Sequence, residues 1–139
     1  MLVYSLKINA SKVQEVIDGF LIDKPYINLF CFTETKVDCV DFTPTGLTTF
    51  DKQRIPKPGT LKGGGLMIGY IENKKIKMEK VDTRSEDILI VEGTIYKEKV
   101  KIILAYFNCC KLRAGRRFQE NREIQKEIKE HMKCKKMFI

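Results

Sequence analysis

The segment Ile27 to Phe32 is an apolar run of strand length in which polar and apolar residues do not alternate. A strand that is apolar on both sides needs cover on both sides, the condition of an inner strand in a layered sheet. Upstream, Leu2 to Ile8 is apolar and β-branched enough for a second strand. Between them Ser11 can cap a helix whose apolar positions Val13, Val16, Ile17, Phe20 and Leu21 recur at helical spacing, and Asp23-Lys24-Pro25 ends it. The opening is therefore strand, helix over 12–22, strand, and a unit of this size implies a parallel pair joined by a right-handed crossover.

Residues 35–62 hold Pro44, Pro56 and Pro58 among Thr, Gly and Lys with no sustained period, and read as a long surface connection. From Gly63 onward short strands with tight returns are expected: Gly65 to Ile71, a turn at Glu72-Asn73-Lys74, Ile76 to Val81, Ile88 to Ile95, a turn at Lys97-Glu98, and Val100 to Phe107. Together they read as one antiparallel meander. Helical spacing returns over 116–132, with Phe118, Ile124, Ile128 and Met132 forming a narrow apolar stripe, so this helix lies on a surface. Lys136 to Ile139 opens a last buried strand. The chain of 139 residues is one domain's worth of polypeptide, 1–139, of α/β (α+β) class.

The chain carries a formal charge of +8, and Lys111 to Ile139 supplies most of it, with ten basic against four acidic residues. An excess of this kind favours polyanionic partners such as nucleic acid or an acidic membrane surface, and Arg113, Arg116, Arg117 and Arg122 are the candidate phosphate contacts on a nucleic acid such as DNA. The other reading of the same helix is a solvated face, because Glu120, Glu123, Glu127 and Glu130 interleave with the basic residues. Five cysteines without a CxxC pair, beside the single His131, indicate neither a disulfide framework nor a zinc site. No basic region opens the chain, and no apolar stretch approaches the roughly 18 residues of a membrane span. The expectation is a soluble intracellular chain, nuclear or cytoplasmic, that is neither secreted nor bound to membrane.

Glu34 closes the inner strand inside Cys31-Phe32-Thr33-Glu34-Thr35, and the C-terminal end of such a strand is where α/β sheets place functional groups. Lys7 and Asn9 lie two apart at the end of the first strand, and the crossover brings that end beside Glu34. Tyr106 closes Ile102-Ile103-Leu104-Ala105, where its hydroxyl can reach a phosphate at the sheet edge or be satisfied within the core. Lys62-Gly63-Gly64-Gly65 leads into a strand and lacks the Lys-Ser/Thr and helix start of a P-loop, so a tight bend with close backbone packing is expected there.

In order and spacing, the polar-x-Asn strand end, Thr33-Glu34-Thr35, the Gly63-Gly64-Gly65-Leu66-Met67-Ile68 strand, Val91-Glu92-Gly93-Thr94-Ile95 and Ile103-Leu104-Ala105-Tyr106 resemble the N-terminal part of the endonuclease/exonuclease/phosphatase family. Within it the likeness points to the endonuclease domains of non-LTR retrotransposons, which accompany reverse transcriptases. The resemblance implies a four-layer sandwich of mixed β-sheets flanked by helices, here incomplete, and a hydrolase that cleaves DNA phosphodiesters with Mg²⁺. It also implies a metal-binding role for Glu34, a place near the scissile phosphate for Tyr106, and a catalytic role for Asn9.

Two departures qualify that carry-over. The first Asn of the family's Asn-x-Asn/Asp-Gly motif is Lys7 and its Gly is Ala10; an ammonium offers no acceptor and is expected to pair with Glu34 instead of supporting a cation. The family's Gly-Asp-Phe-Asn motif is expected directly after Lys136 to Ile139, and its Asp-His pair further on. The expectation is a truncated domain without activity of its own, with Mg²⁺ held weakly or not at all, a missing C-terminal half as possible partner, and bare apolar sheet surface. The alternative is a small basic nucleic-acid- or protein-binding module without catalysis.

Overall fold

The computed structural model describes residues 2–7, 14–16, 18–19, 27–35, 47–53, 64–72, 74–107, 116–132 and 137–138. Eight strands are described: β1 (Leu2–Lys7), β2 (Ile27–Thr33), β3 (Leu47–Lys52), β4 (Leu66–Ile71), β5 (Ile76–Val81), β6 (Ile88–Ile95), β7 (Glu98–Ala105) and β8 (Met137–Phe138). A helix covers Arg116–His131, as its spacing predicts. Residues 14–16 and 18–19 are helical, inside the helix expected over 12–22. None of the described helices is long and apolar enough to cross a membrane.

The strands form two four-stranded sheets, ordered β1-β2-β4-β3 and β5-β6-β7-β8. β1 and β2 are parallel, with Lys7 beside Thr33, as the strand-helix-strand opening requires. β2 and β3 both pair antiparallel with β4. The second sheet is a β5-β6-β7 meander to which β8 adds in parallel, Met137 beside Lys101.

Three expectations are corrected. The stretch 35–62 is not all connection: Leu47-Thr48-Thr49-Phe50-Asp51-Lys52 is an edge strand, mostly half-buried. Its weak apolar content among prolines hid it, because an edge strand pairs on one side only and tolerates polar and charged side chains. The meander is likewise not continuous, since β4 belongs to the first sheet and β5 to the second. β4 is buried on both faces and so sits inside its sheet, whereas β5 exposes Lys77, Glu79 and Lys80 as an edge. Finally the β6–β7 turn is Tyr96-Lys97, one residue earlier than expected, with φ of 50° and 70°.

The inner faces of the two sheets pack on each other. Leu29, Cys31, Leu66, Ile68 and Tyr70 from the first meet Leu89, Val91, Ile95, Val100, Ile102 and Leu104 from the second. Burial pushes the Cys31 thiol up to about 12, so it stays protonated and inert at neutral pH. On the outer face of the second sheet Ile88, Ile90 and Ile103 pack against Ile124 and Ile128 of the helix. Met132, expected in that apolar stripe, is instead exposed at the turn that ends the helix. On the outer face of the first sheet Phe30, Phe32 and Met67 have no exposure, and the two rings lie 6.0 Å apart. The bare sheet face expected for an incomplete sandwich does not occur among the described residues, whose exposed large apolar side chains are Tyr96, Phe107 and Met132.

Candidate functional site at the strand ends

β2 ends at Thr33, and the next residue, Glu34, turns out of the sheet with φ of 54°. Positive φ is uncommon for a non-glycine residue and persists where the surroundings hold it. The holding groups are local. The Thr35 amide donates to the Gly65 carbonyl at 3.2 Å, and the buried Thr35 hydroxyl accepts from Gln53 Nε2 at 3.2 Å. Gly64 and Gly65 have φ of 74° and 93°, a conformation that glycine adopts without a Cβ penalty. The glycine run is thus the tight bend expected, and it braces the residue after Glu34.

Tyr106 follows β7 at the same end of the second sheet, its amide bonded to the Asp87 carbonyl at 2.9 Å. Its ring packs on the inter-sheet core, and its hydroxyl donates to Glu34 Oε1. This bond joins the ends of the two sheets. Of the two environments open to Tyr106, the structure selects a half-buried hydroxyl engaged with a half-buried carboxylate.

A second set of ties lies beside the first. Lys52, the last residue of β3, donates through Nζ to the Thr83 carbonyl at 2.9 Å and to the Thr83 hydroxyl. Lys80 Nζ donates to the Asp51 carbonyl at 2.6 Å. Burial, followed by the neighbouring Lys80 charge, holds the Lys52 ammonium below the usual lysine range. The Thr83–Ser85 loop is fixed in turn by Glu127, which is 3% exposed and accepts from the Arg84 and Ser85 amides at 2.8 and 3.0 Å. Glu127 is therefore not on the solvated helix face where spacing placed it.

Of the residues the sequence singled out, the structure brings Glu34 and Tyr106 together. Lys7 ends β1 in register with Thr33, one residue from Glu34. Asn9 and Arg113 lie outside the described residues. Arg116 and Arg117 form the first helical turn, which contains no acidic residue, and Arg122 is exposed on the same helix. Sequence reasoning missed Gln53, Lys52, Thr83 and Glu127. For Gln53 and Lys52 the available signal was the β-branched Leu47-Thr48-Thr49-Phe50 stretch that positions them.

No protein-family model matches the chain, and no curated protein matches its sequence. Solved structures do match its fold. An AP endonuclease from Archaeoglobus fulgidus superposes with a TM-score of 0.66 at 14% identity, over 95% of this chain and 51% of that one. The AP endonuclease LMAP from Leishmania major gives 0.68 at 11% identity, over 94% and 47%. The 3′ phosphatase NExo from Neisseria, solved with a product DNA hairpin, gives 0.60 at 13% identity, over 94% and 52%. The chain thus has the endonuclease/exonuclease/phosphatase type of fold and spans about half the length of the structures it matches.

Proposed function

We propose that this chain is part of a DNA phosphodiester-cleaving domain of the retrotransposon endonuclease kind, and that it has no cleaving activity by itself. The observation that carries the reading is the Tyr106 hydroxyl bonded to Glu34 Oε1 at the joined ends of two sheets. A carboxylate held there, with a phenol beside it, can orient a phosphodiester or share in holding a cation. The fold likeness to AP endonucleases and to a 3′ phosphatase solved with a DNA hairpin supports DNA as the polymer.

Mg²⁺ demands six oxygen ligands in near-octahedral order. Among the described residues no group of three or more His, Cys, Asp or Glu side chains is placed to hold a metal ion, and one oxygen of Glu34 already accepts from Tyr106. By this reading the described residues would hold Mg²⁺ weakly at most, and no chemical step is assigned to the ion.

Supercoiled plasmid incubated with the purified chain and Mg²⁺ should stay un-nicked. In an NMR titration the ion should shift signals at Glu34 and Thr35 weakly, and Lys7→Asn should strengthen that response without producing nicks. Nicking abolished by EDTA and by Glu34→Ala would make the chain a complete nuclease and overturn the claim of inactivity. Shifts that spare Glu34 in both proteins would remove the site assignment.

A further inference from the structure

The β6–β7 turn lies at the opposite end of the second sheet from Tyr106, a full strand of eight residues away, or about 25 Å. Its two loop residues, Tyr96 and Lys97, both have positive φ. A two-residue hairpin loop of this geometry favours Asn-Gly, because a large side chain in the left-handed region is strained. Here the first position carries a large aromatic residue that is 44% exposed. Strain of this kind, kept at an exposed aromatic, marks a position held for contact with something else.

The surroundings specify the chemistry. Lys75 Nζ sits 5.8 Å from the Tyr96 ring centroid, and the Tyr96 amide bonds to the Lys75 carbonyl at 2.9 Å. Lys77, Thr94 and Lys99 share one rung on the outer face across three strands. Lys74, Lys75, Lys77, Lys97 and Lys99 are all exposed, against Glu72 and Glu98 at the same end. Acidic residues return one rung inward, where Glu79, Glu92 and Lys101 align and Lys101 pairs with Glu92 at 3.6 Å. The positive patch is therefore confined to the turn end.

We infer that this end of the second sheet is a contact surface for single-stranded nucleic acid, separate from the Glu34–Tyr106 site, with the lysines on phosphates and the Tyr96 ring on an unpaired base. Lysines alone would suit any polyanion. The presented ring favours a polymer that offers flat partners along with its phosphates, since base–aromatic stacking adds to backbone attraction. An acidic peptide or an anionic lipid surface supplies the charge without that match.

The test exploits the strained turn. Tyr96→Asn suits a positive φ better, so the variant should fold and melt at a higher temperature than the parent chain. It should bind a labelled oligothymidine about tenfold more weakly by fluorescence anisotropy. Lys77→Ser with Lys99→Ser should reduce the slope of log affinity against log salt by about 1.4, two phosphates' worth for a single strand. The inference is overturned if Tyr96→Asn binds as tightly as the parent, if the parent does not bind the oligonucleotide at low salt, or if anionic vesicles or polyglutamate bind and the oligonucleotide does not.

Discussion

Gly93→Ala should abolish folding of the second sheet. Gly93 lies in β6, between Met78 of β5 and Val100 of β7. A Cβ on it would stand 1.8 Å from the Lys77 carbonyl oxygen, 2.8 Å from its carbon and 2.9 Å from the Met78 Cα. All three are backbone atoms, so no rotamer change makes room and β5 must leave the ladder. The expected cost exceeds about 4 kcal/mol, the range reserved for named structural catastrophes, out of a total domain stability of about 5–15 kcal/mol. Gly69→Ala is the control. Its Cβ would meet the Leu47 Cδ1 and Thr49 Cγ2 side-chain ends at 3.1 and 3.2 Å, which can give way. Urea unfolding followed by circular dichroism should show Gly69→Ala with a native transition and Gly93→Ala with none. A Gly93→Ala protein that unfolds at the parental urea concentration would show that the two strands do not approach this closely.

The second large effect belongs to Glu127. Its carboxylate is buried and satisfies the amides of Arg84 and Ser85, each through a separate oxygen. Glu127→Ala strands both donors in a partly buried setting and opens a hole between helix and loop. Hydrogen bonds to a charged group contribute about 1.5–3 kcal/mol each, so a net loss of about 3 kcal/mol is expected. That corresponds to a fall of about 10 °C in melting temperature for a domain of this size. The neighbouring Glu130 pairs with the Arg84 guanidinium at 2.9 Å on an exposed surface, and Glu130→Ala should barely move the transition. Hydrogen exchange at the Arg84 and Ser85 amides should quicken in the Glu127 variant alone. Equal melting of the two variants would mean that Glu127 caps nothing.

These positions show where the sequence was legible. Ile27 to Phe32 announced an inner strand because a two-sided apolar run has few other uses, and the structure buries Leu29 to Phe32 on both faces. Thr33-Glu34-Thr35 and the glycine run pointed to the site because their local geometry is unusual: a positive φ at Glu34 and two more at Gly64 and Gly65. Leu47–Lys52 escaped notice because a mostly half-buried edge strand rich in polar residues leaves a faint pattern. The passage from β4 to β5 looked like a hairpin because a turn between two strands reads alike whether the second joins the same sheet or the facing one. Glu127 was hidden most thoroughly. At i,i+4 from other charged residues it reads as solvated, and only the loop that reaches it from 43 residues away explains its burial.

The division of the strands between the two sheets also sets an order in time. β5, β6 and β7 follow one another through short turns, so their pairings close small loops. The first sheet pairs β2 with β1 across a crossover and with β4 across residues 34–65. Local pairings form faster because less chain entropy is lost before contacts repay it. Pulse-labelled hydrogen exchange during refolding should therefore protect amides of 88–104 before those of 29–33. The bond between Tyr106 and Glu34, which closes a span of 72 residues, would be among the last contacts to form. The candidate site would then be a late product of folding, reached only when two separately nucleated sheets have docked.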